Sequence, residues 1–272
     1  MTSKNTQQGP QPDIFIVGVM KGGTTVLHDY ICTHPHIKAG SQKEIHYFSL
    51  FYHEGPEWYA NHFSDVDSKY RTIDASPTYF DATNTALLPR LIRGFTQDPR
   101  VILITRDPIQ RAISQFVHLQ RIAKAPALID MNIDDFFSQS LEDAFRQNTG
   151  PSYYLNQVLN FSLYFQKFTT YQQQFEPHQL LALDNDELRN QPRQTMEKVF
   201  KFLDEDYYHD SQFGEEKYSN GSAISQISKE NFNRLADLLY PDYQKYCQRA
   251  GIEFKQAIYN AERSAAWSRT RR

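Results

Sequence analysis

The segment Asp13–Thr25, Asp-Ile-Phe-Ile-Val-Gly-Val-Met-Lys-Gly-Gly-Thr-Thr, constrains the fold more than any other stretch of the chain. Its apolar run Ile14, Phe15, Ile16 and Val17 predicts a buried strand that ends in a glycine-rich turn, with a helix starting at the threonines. Strand, glycine turn and helix N-terminus in that order aim backbone N–H groups and the positive end of a helix dipole at one point. That geometry binds a phosphate or sulfate group. Gly18, Gly22 and Gly23 are expected to let the backbone approach the anion without a Cβ in the way. Thr24 and Thr25 add hydroxyl donors, and Lys21 adds a point charge. A turn that binds nothing is the plainer alternative, and this set of convergent donors argues against it. The nucleoside triphosphatase loop, Gly-x-x-x-x-Gly-Lys-Ser/Thr, carries its lysine after the last glycine. Here Lys21 precedes the glycine pair, so that pattern is not met.

A second element lies at Arg100–Phe116, Arg-Val-Ile-Leu-Ile-Thr-Arg-Asp-Pro-Ile-Gln-Arg-Ala-Ile-Ser-Gln-Phe. Val101–Ile104 predict another short buried strand, Asp107 a helix N-cap, and Pro108 the first helical position. Arg106 then sits at the carboxyl end of a strand, where open α/β sheets bind ligands, and Ser114 lies two turns into the following helix. An arginine fork there suits a phosphate because it makes paired charge-assisted bonds. In isolation, a capping Asp-Pro beside a surface arginine explains the same residues.

Together the two elements resemble the donor site of sulfotransferases, which use 3′-phosphoadenosine 5′-phosphosulfate (PAPS). Lys21-Gly22-Gly23-Thr24-Thr25 is similar to their 5′-phosphosulfate loop, and Arg106-Asp107-Pro108 with Ser114 to their 3′-phosphate element. Lys43-Glu44-Ile45-His46-Tyr47-Phe48 resembles the Lys-Glu-x-His-Phe-Phe segment of the heparan sulfate 3-O-sulfotransferases and their bacterial relatives. Thr72–Phe80 resembles their Ser/Thr-Pro-x-Tyr-Phe segment. The resemblance covers most of residues 13–255. It implies an α/β fold in one domain, with a mostly parallel central sheet flanked by helices. It also implies Glu44 as general base with His46 assisting, Lys21 neutralising the departing bridging oxygen, and the loop holding the 5′-phosphate. Without it, Glu44 reads as a surface ion-pair partner of Lys43 or Lys38. Three positions depart from the family pattern: Ala75 replaces a lysine, Ser49 replaces an aspartate, and Asn220-Gly221-Ser222 matches a late donor loop without its two positive charges. Lys217 is a candidate substitute for those charges.

The remaining readings bound the function class. A chain of 272 residues is long enough to bury a sizeable core. A net charge of −3 excludes a globally basic nucleic-acid binder. Cys32 and Cys247 do not make a disulfide framework and read as small apolar residues. Nine histidines include no pair at metal-binding helical spacing, so no metal is expected. Residues 1–12 read as a polar disordered leader, 13–258 as the sulfotransferase domain and 259–272 as a basic tail. No apolar run reaches membrane-spanning length, and a cytoplasmic enzyme is expected. Its partner would be a glycan or small hydroxylated acceptor, with the oligomeric state open. A P-loop kinase and a noncatalytic nucleotide-binding module are the alternatives.

Helices are expected over Thr24–Thr33, Thr85–Phe95, Asn132–Gln147, Tyr153–Gln174, Gln194–Leu203 and Lys229–Ala250, with a strand at Leu180–Leu183. The segment Lys43–Phe80 is the expected acceptor side. It carries few basic residues (Lys43, Lys69, Arg71) against Glu44, Glu54, Glu57, Asp65, Asp67 and Asp74. Its aromatic residues Tyr47, Phe48, Phe51, Tyr52, Trp58, Tyr59 and Phe63 suit sugar rings or an apolar pocket, and at least half of them suit a core. An acceptor of low negative charge follows.

Overall fold

Strand β1 (Ile14–Gly18) is buried along its whole length, as its unbroken apolar run requires of a strand covered on both faces. It pairs in parallel with β3 (Arg71–Ala75) on one side and β4 (Arg100–Thr105) on the other. The outer neighbours are β2 (Ile37–Ala39) and β5 (Leu180–Asp184), giving a parallel five-stranded sheet in the order β2-β3-β1-β4-β5. The computed structural model describes residues 11–81, 86–122, 125–146, 149–214 and 227–259. The expected late loop Asn220-Gly221-Ser222, Lys217, the tail after Ala261 and all but the end of the leader lie outside them.

Along the chain the helices are α1 (Thr24–Cys32), α2 (Gly55–Asn61), α3 (Thr78–Asp81), α4 (Leu88–Phe95), α5 (Pro108–Arg121) and α6 (Ile133–Ser138). They continue as α7 (Leu141–Arg146), α8 (Gly150–Phe161), α9 (Phe165–Gln172), α10 (Asn185–Asn190), α11 (Pro192–Phe202) and α12 (Lys229–Ala250). Their contacts gather the described residues into two compact units, 11–105 with 169–214 and 106–168 with 227–259.

The first unit contains the sheet. Ile14, Ile16, Ile102 and Ile104 pack against Leu27 and Ile31 of α1 and Met196, Val199 and Phe200 of α11. Each such side chain contributes about 1.5–3 kcal/mol on burial. Elsewhere in the unit Phe15 meets Phe48 edge-on at 6.1 Å, and Phe48 in turn meets Tyr59 and Tyr79. The order of the strands reverses direction between β1 and β4, so the segment after β1 opens at the switch point of the sheet, where α/β folds bind ligands.

In the second unit Asp107 caps α5 as expected, accepting the N–H groups of Ile109 and Gln110 at 3.0 and 2.9 Å. Asn132 caps α6 by accepting from the Asp134 N–H at 2.7 Å. The helix expected over Asn132–Gln147 is two, because Gln139 turns extended at φ −56°, ψ 153° between α6 and α7. The one expected over Tyr153–Gln174 is also two. The Tyr164 and Phe165 N–H groups donate to Asp242 Oδ1 at 2.6 and 3.1 Å, starting α9 afresh.

Candidate active site

The loop after β1 is held from three directions. The Val19 N–H donates to the Ile104 carbonyl at 2.8 Å, the Gly22 N–H to the Val19 carbonyl at 2.8 Å, and the Met20 N–H to buried Asp81 Oδ2 at 2.7 Å. Its glycines also meet a packing requirement within the protein. A Cβ on Gly22 would lie 2.6 Å from the Ile104 carbonyl oxygen. Gly23 stands at φ 104° with the Asn185 side-chain amide where its Cβ would be. Gly22 and Gly23 thus let the loop pack closely onto β4 and α10. The result is a fixed N-terminus for α1, with no acidic residue in its first turn and no side-chain cap. Thr24 is buried in that turn, Thr25 is half-buried, and Lys21 takes the left-handed conformation at φ 66°.

A second segment docks on this helix end. Lys43 Nζ donates to Thr25 Oγ1 at 2.5 Å. Beyond it Glu44 and His46 both adopt positive φ, 60° and 58°, and His46 Nε2 stands 3.6 Å from Glu44 Oε2. His46 is fixed twice over: its Nδ1 lies 2.8 Å from Thr78 Oγ1, and its backbone N–H donates to Ser76 Oγ at 2.9 Å. Ser76 passes its own proton toward Asp74 Oδ1 at 2.6 Å, while the Tyr59 and Tyr79 hydroxyls donate to Asp74 Oδ2 at 2.6 and 2.7 Å. Asp74 is thus a buried carboxyl satisfied by three hydroxyls. Burial pushes its pKa up, and the three donors partly offset that.

In the second unit Arg106 is half-buried and its Nε and Nη2 donate to Gln110 Oε1 at 3.2 and 3.0 Å, while its carbonyl accepts from Tyr164 OH at 3.0 Å. Ser114 is buried on α5. Asp107 is more than a cap, since its Oδ2 also accepts from Tyr240 OH at 3.0 Å and the Ala257 N–H at 3.2 Å. Fully buried Arg111 donates to Ser162 Oγ, Gln115 Oε1 and the Val158 carbonyl, tying α5 to α8.

The family described as the sulfotransferase domain matches residues 11–261, nearly the whole chain. The chain belongs to the sulfotransferase family. Over 264 residues it is 27% identical to the mouse (Mus musculus) heparan sulfate glucosamine 3-O-sulfotransferase 3B1, covering 89% of the chain and 64% of that relative. The chain spans 22–64% of the length of the first curated relatives it matches. The crystal structure of a sulfotransferase from Alicyclobacillus acidocaldarius aligns with a TM-score of 0.70 at 21% identity, covering 90% of this chain and 97% of that one. Mouse sulfotransferase SULT7A1 complexed with PAP aligns at 0.52 and 15% identity, covering 90% of each chain.

The segment Lys43–Phe80 divides between core and surface. Asp74 is buried, and Arg71 lies at the opposite end of β3, paired with Asp13 and Glu205. Tyr47, Phe48, Tyr59 and Phe63 are core, whereas Leu50, Phe51 and Tyr52 are exposed immediately after His46. Reading the sequence missed Asp74, Arg111 and Asp81 as supports. Among the described residues, His34, His36 and Glu205 group their ligand atoms within 4.8 Å. His34 spends both ring nitrogens, however, at 3.3 Å from the His36 backbone nitrogen and 3.2 Å from the Asp206 carbonyl oxygen. No described helix is long and apolar enough to cross a membrane.

Proposed function

We propose that the chain transfers a sulfuryl group from PAPS to a hydroxyl or amine of a glycan or small hydroxylated acceptor. The observation that carries this reading is the Lys43–Thr25 hydrogen bond, because it brings the Glu44–His46 pair to the same helix end that the loop leaves open for an anion. Support also comes from the mouse neighbour solved with PAP, the product such a donor leaves, and from the 3-O-sulfotransferase relative. In the reaction the acceptor oxygen or nitrogen attacks sulfur in line, the bond from sulfur to the 5′-phosphate oxygen breaks, and the acceptor proton passes to Glu44. Lys21 balances the charge that grows on the leaving oxygen. The loop amides with Thr24 and Thr25 hold the 5′-phosphate. Arg106 and Ser114 hold the 3′-phosphate. As in phosphoryl transfer, positioning and charge stabilisation supply the catalysis.

Calorimetry separates this reading from a kinase. PAP should bind in the absence of metal and more tightly than ATP with magnesium; the reverse order would sink the donor assignment. Arg106→Ala and Ser114→Ala should each weaken PAP while leaving adenosine 5′-monophosphate nearly unchanged. Loss of a charge-assisted bond costs about 1.5–3 kcal/mol, or about 10- to 150-fold in Kd for Arg106. Equal weakening of both nucleotides would reduce the two residues to fold supports.

The acceptor reading is that of a weakly charged molecule. With Arg71 ion-paired and Asp74 buried, the surface after His46 offers Leu50, Phe51 and Tyr52, an apolar and aromatic face suited to a ring. The acceptor KM should therefore change by less than about twofold between low and moderate salt, since few counter-charges are there to be screened. A steep salt dependence, or preference for a heparan-like polyanion, would overturn it.

A further inference from the structure

Lys43 is a half-buried ammonium group in an unusual position. It donates to a neutral hydroxyl, Thr25 Oγ1, and among the described residues no carboxylate lies within ion-pair distance of it. Burial pulls its pKa below the ordinary lysine value, and the more distant charges of Glu44 and Asp29 only partly restore it. Partly desolvating a cation is costly, and a bound anionic ligand would offset that cost. The place it occupies is specific: Thr25 is on the first turn of α1, the turn that has no acidic residue and no side-chain cap. Because Thr25 accepts from Lys43, its own hydroxyl hydrogen remains available to donate, and the ammonium polarises it toward an anion.

We infer that Lys43 is a second donor-binding cation, which together with Lys21 contacts the 5′-phosphosulfate and supplies positive charge from the side of the acceptor segment. This rests on the PAPS reading above and adds a residue to it. The arrangement also links the two halves of the reaction, because the lysine next to Glu44 is the one that engages the donor.

The test compares the wild-type protein with Lys43→Met and Lys43→Arg, using PAP and adenosine 3′-monophosphate as probes. Lys43→Met should weaken PAP at least about tenfold while changing adenosine 3′-monophosphate, which lacks the 5′-group, by less than about twofold. Without nucleotide its melting temperature should stay level or rise, because a desolvated charge has been removed, while the upshift produced by PAP should shrink. Lys43→Arg should keep most of the PAP affinity. An unchanged PAP Kd in Lys43→Met overturns the inference and leaves the donor assignment intact. So does equal weakening of both nucleotides with a lowered melting temperature, which would make Lys43 a strut between its segment and α1. Failure of the wild-type protein to bind PAP overturns the donor assignment and this inference together.

Discussion

Lys21→Ala should lower kcat/KM for sulfuryl transfer by about two to three orders of magnitude while leaving the melting temperature within a few degrees of wild type. That size is typical of removing one preorganised charge stabiliser from a transition state. The fold should survive for a reason visible in the backbone. Lys21 sits at φ 66°, a conformation any residue with a Cβ pays for, and alanine carries the same Cβ. The substitution therefore removes the ammonium and its stem without changing the cost of the turn. The turn itself is anchored by Val19, Met20 and Gly22 through bonds to Ile104, Asp81 and Val19, none of which involves the lysine side chain. PAP binding should fall less than turnover, because the charge matters most on the oxygen that departs. Near-normal turnover in a folded Lys21→Ala protein would remove this loop from the chemistry.

What was legible in the sequence were local features. A continuous apolar run, a glycine turn, an Asp-Pro cap and an Asn cap each act over a few residues, and β1, α1, β4, α5 and the start of α6 appear where those signals put them. What was not legible depends on partners far apart in sequence. Asp74 looks like a surface acid until Tyr59, Ser76 and Tyr79 surround it, and nothing local says that a polar strand such as Arg71–Ala75 lies beside β1 in the sheet. Arg111, one residue among several charged and polar ones on α5, gives no sign of being fully buried. The glycines show the same limit in another way. Their presence was readable, but their packing against the carbonyl of Ile104 and the amide of Asn185 was not, because those partners lie at distant positions in the chain. Lys43 belongs to this group too: as one lysine in a charged segment it reads as solvated, and only its contact with Thr25 gives it a place at the loop.

Glu44→Gln should separate chemistry from binding. The amide keeps the size and shape of the side chain but cannot take a proton from the acceptor, so kcat should fall by about 10²- to 10⁴-fold, the usual contribution of a general base. PAP affinity should stay close to wild type, since the donor's anchors lie elsewhere. The geometry favours this outcome. Glu44 is partly open to solvent, where an acceptor hydroxyl can reach it, and its Oε2 faces His46 Nε2 at 3.6 Å. His46 cannot drift away in the variant, because Thr78 holds its ring and Ser76 holds its backbone through a chain that ends on buried Asp74. The lost activity would then report the missing base rather than a collapsed site. His46→Ala should be milder in kcat, as it removes the neighbour and leaves the carboxylate. If Glu44→Gln instead raises only the acceptor KM, with kcat preserved, then Glu44 binds the acceptor, and the group that accepts the proton must be sought at His46.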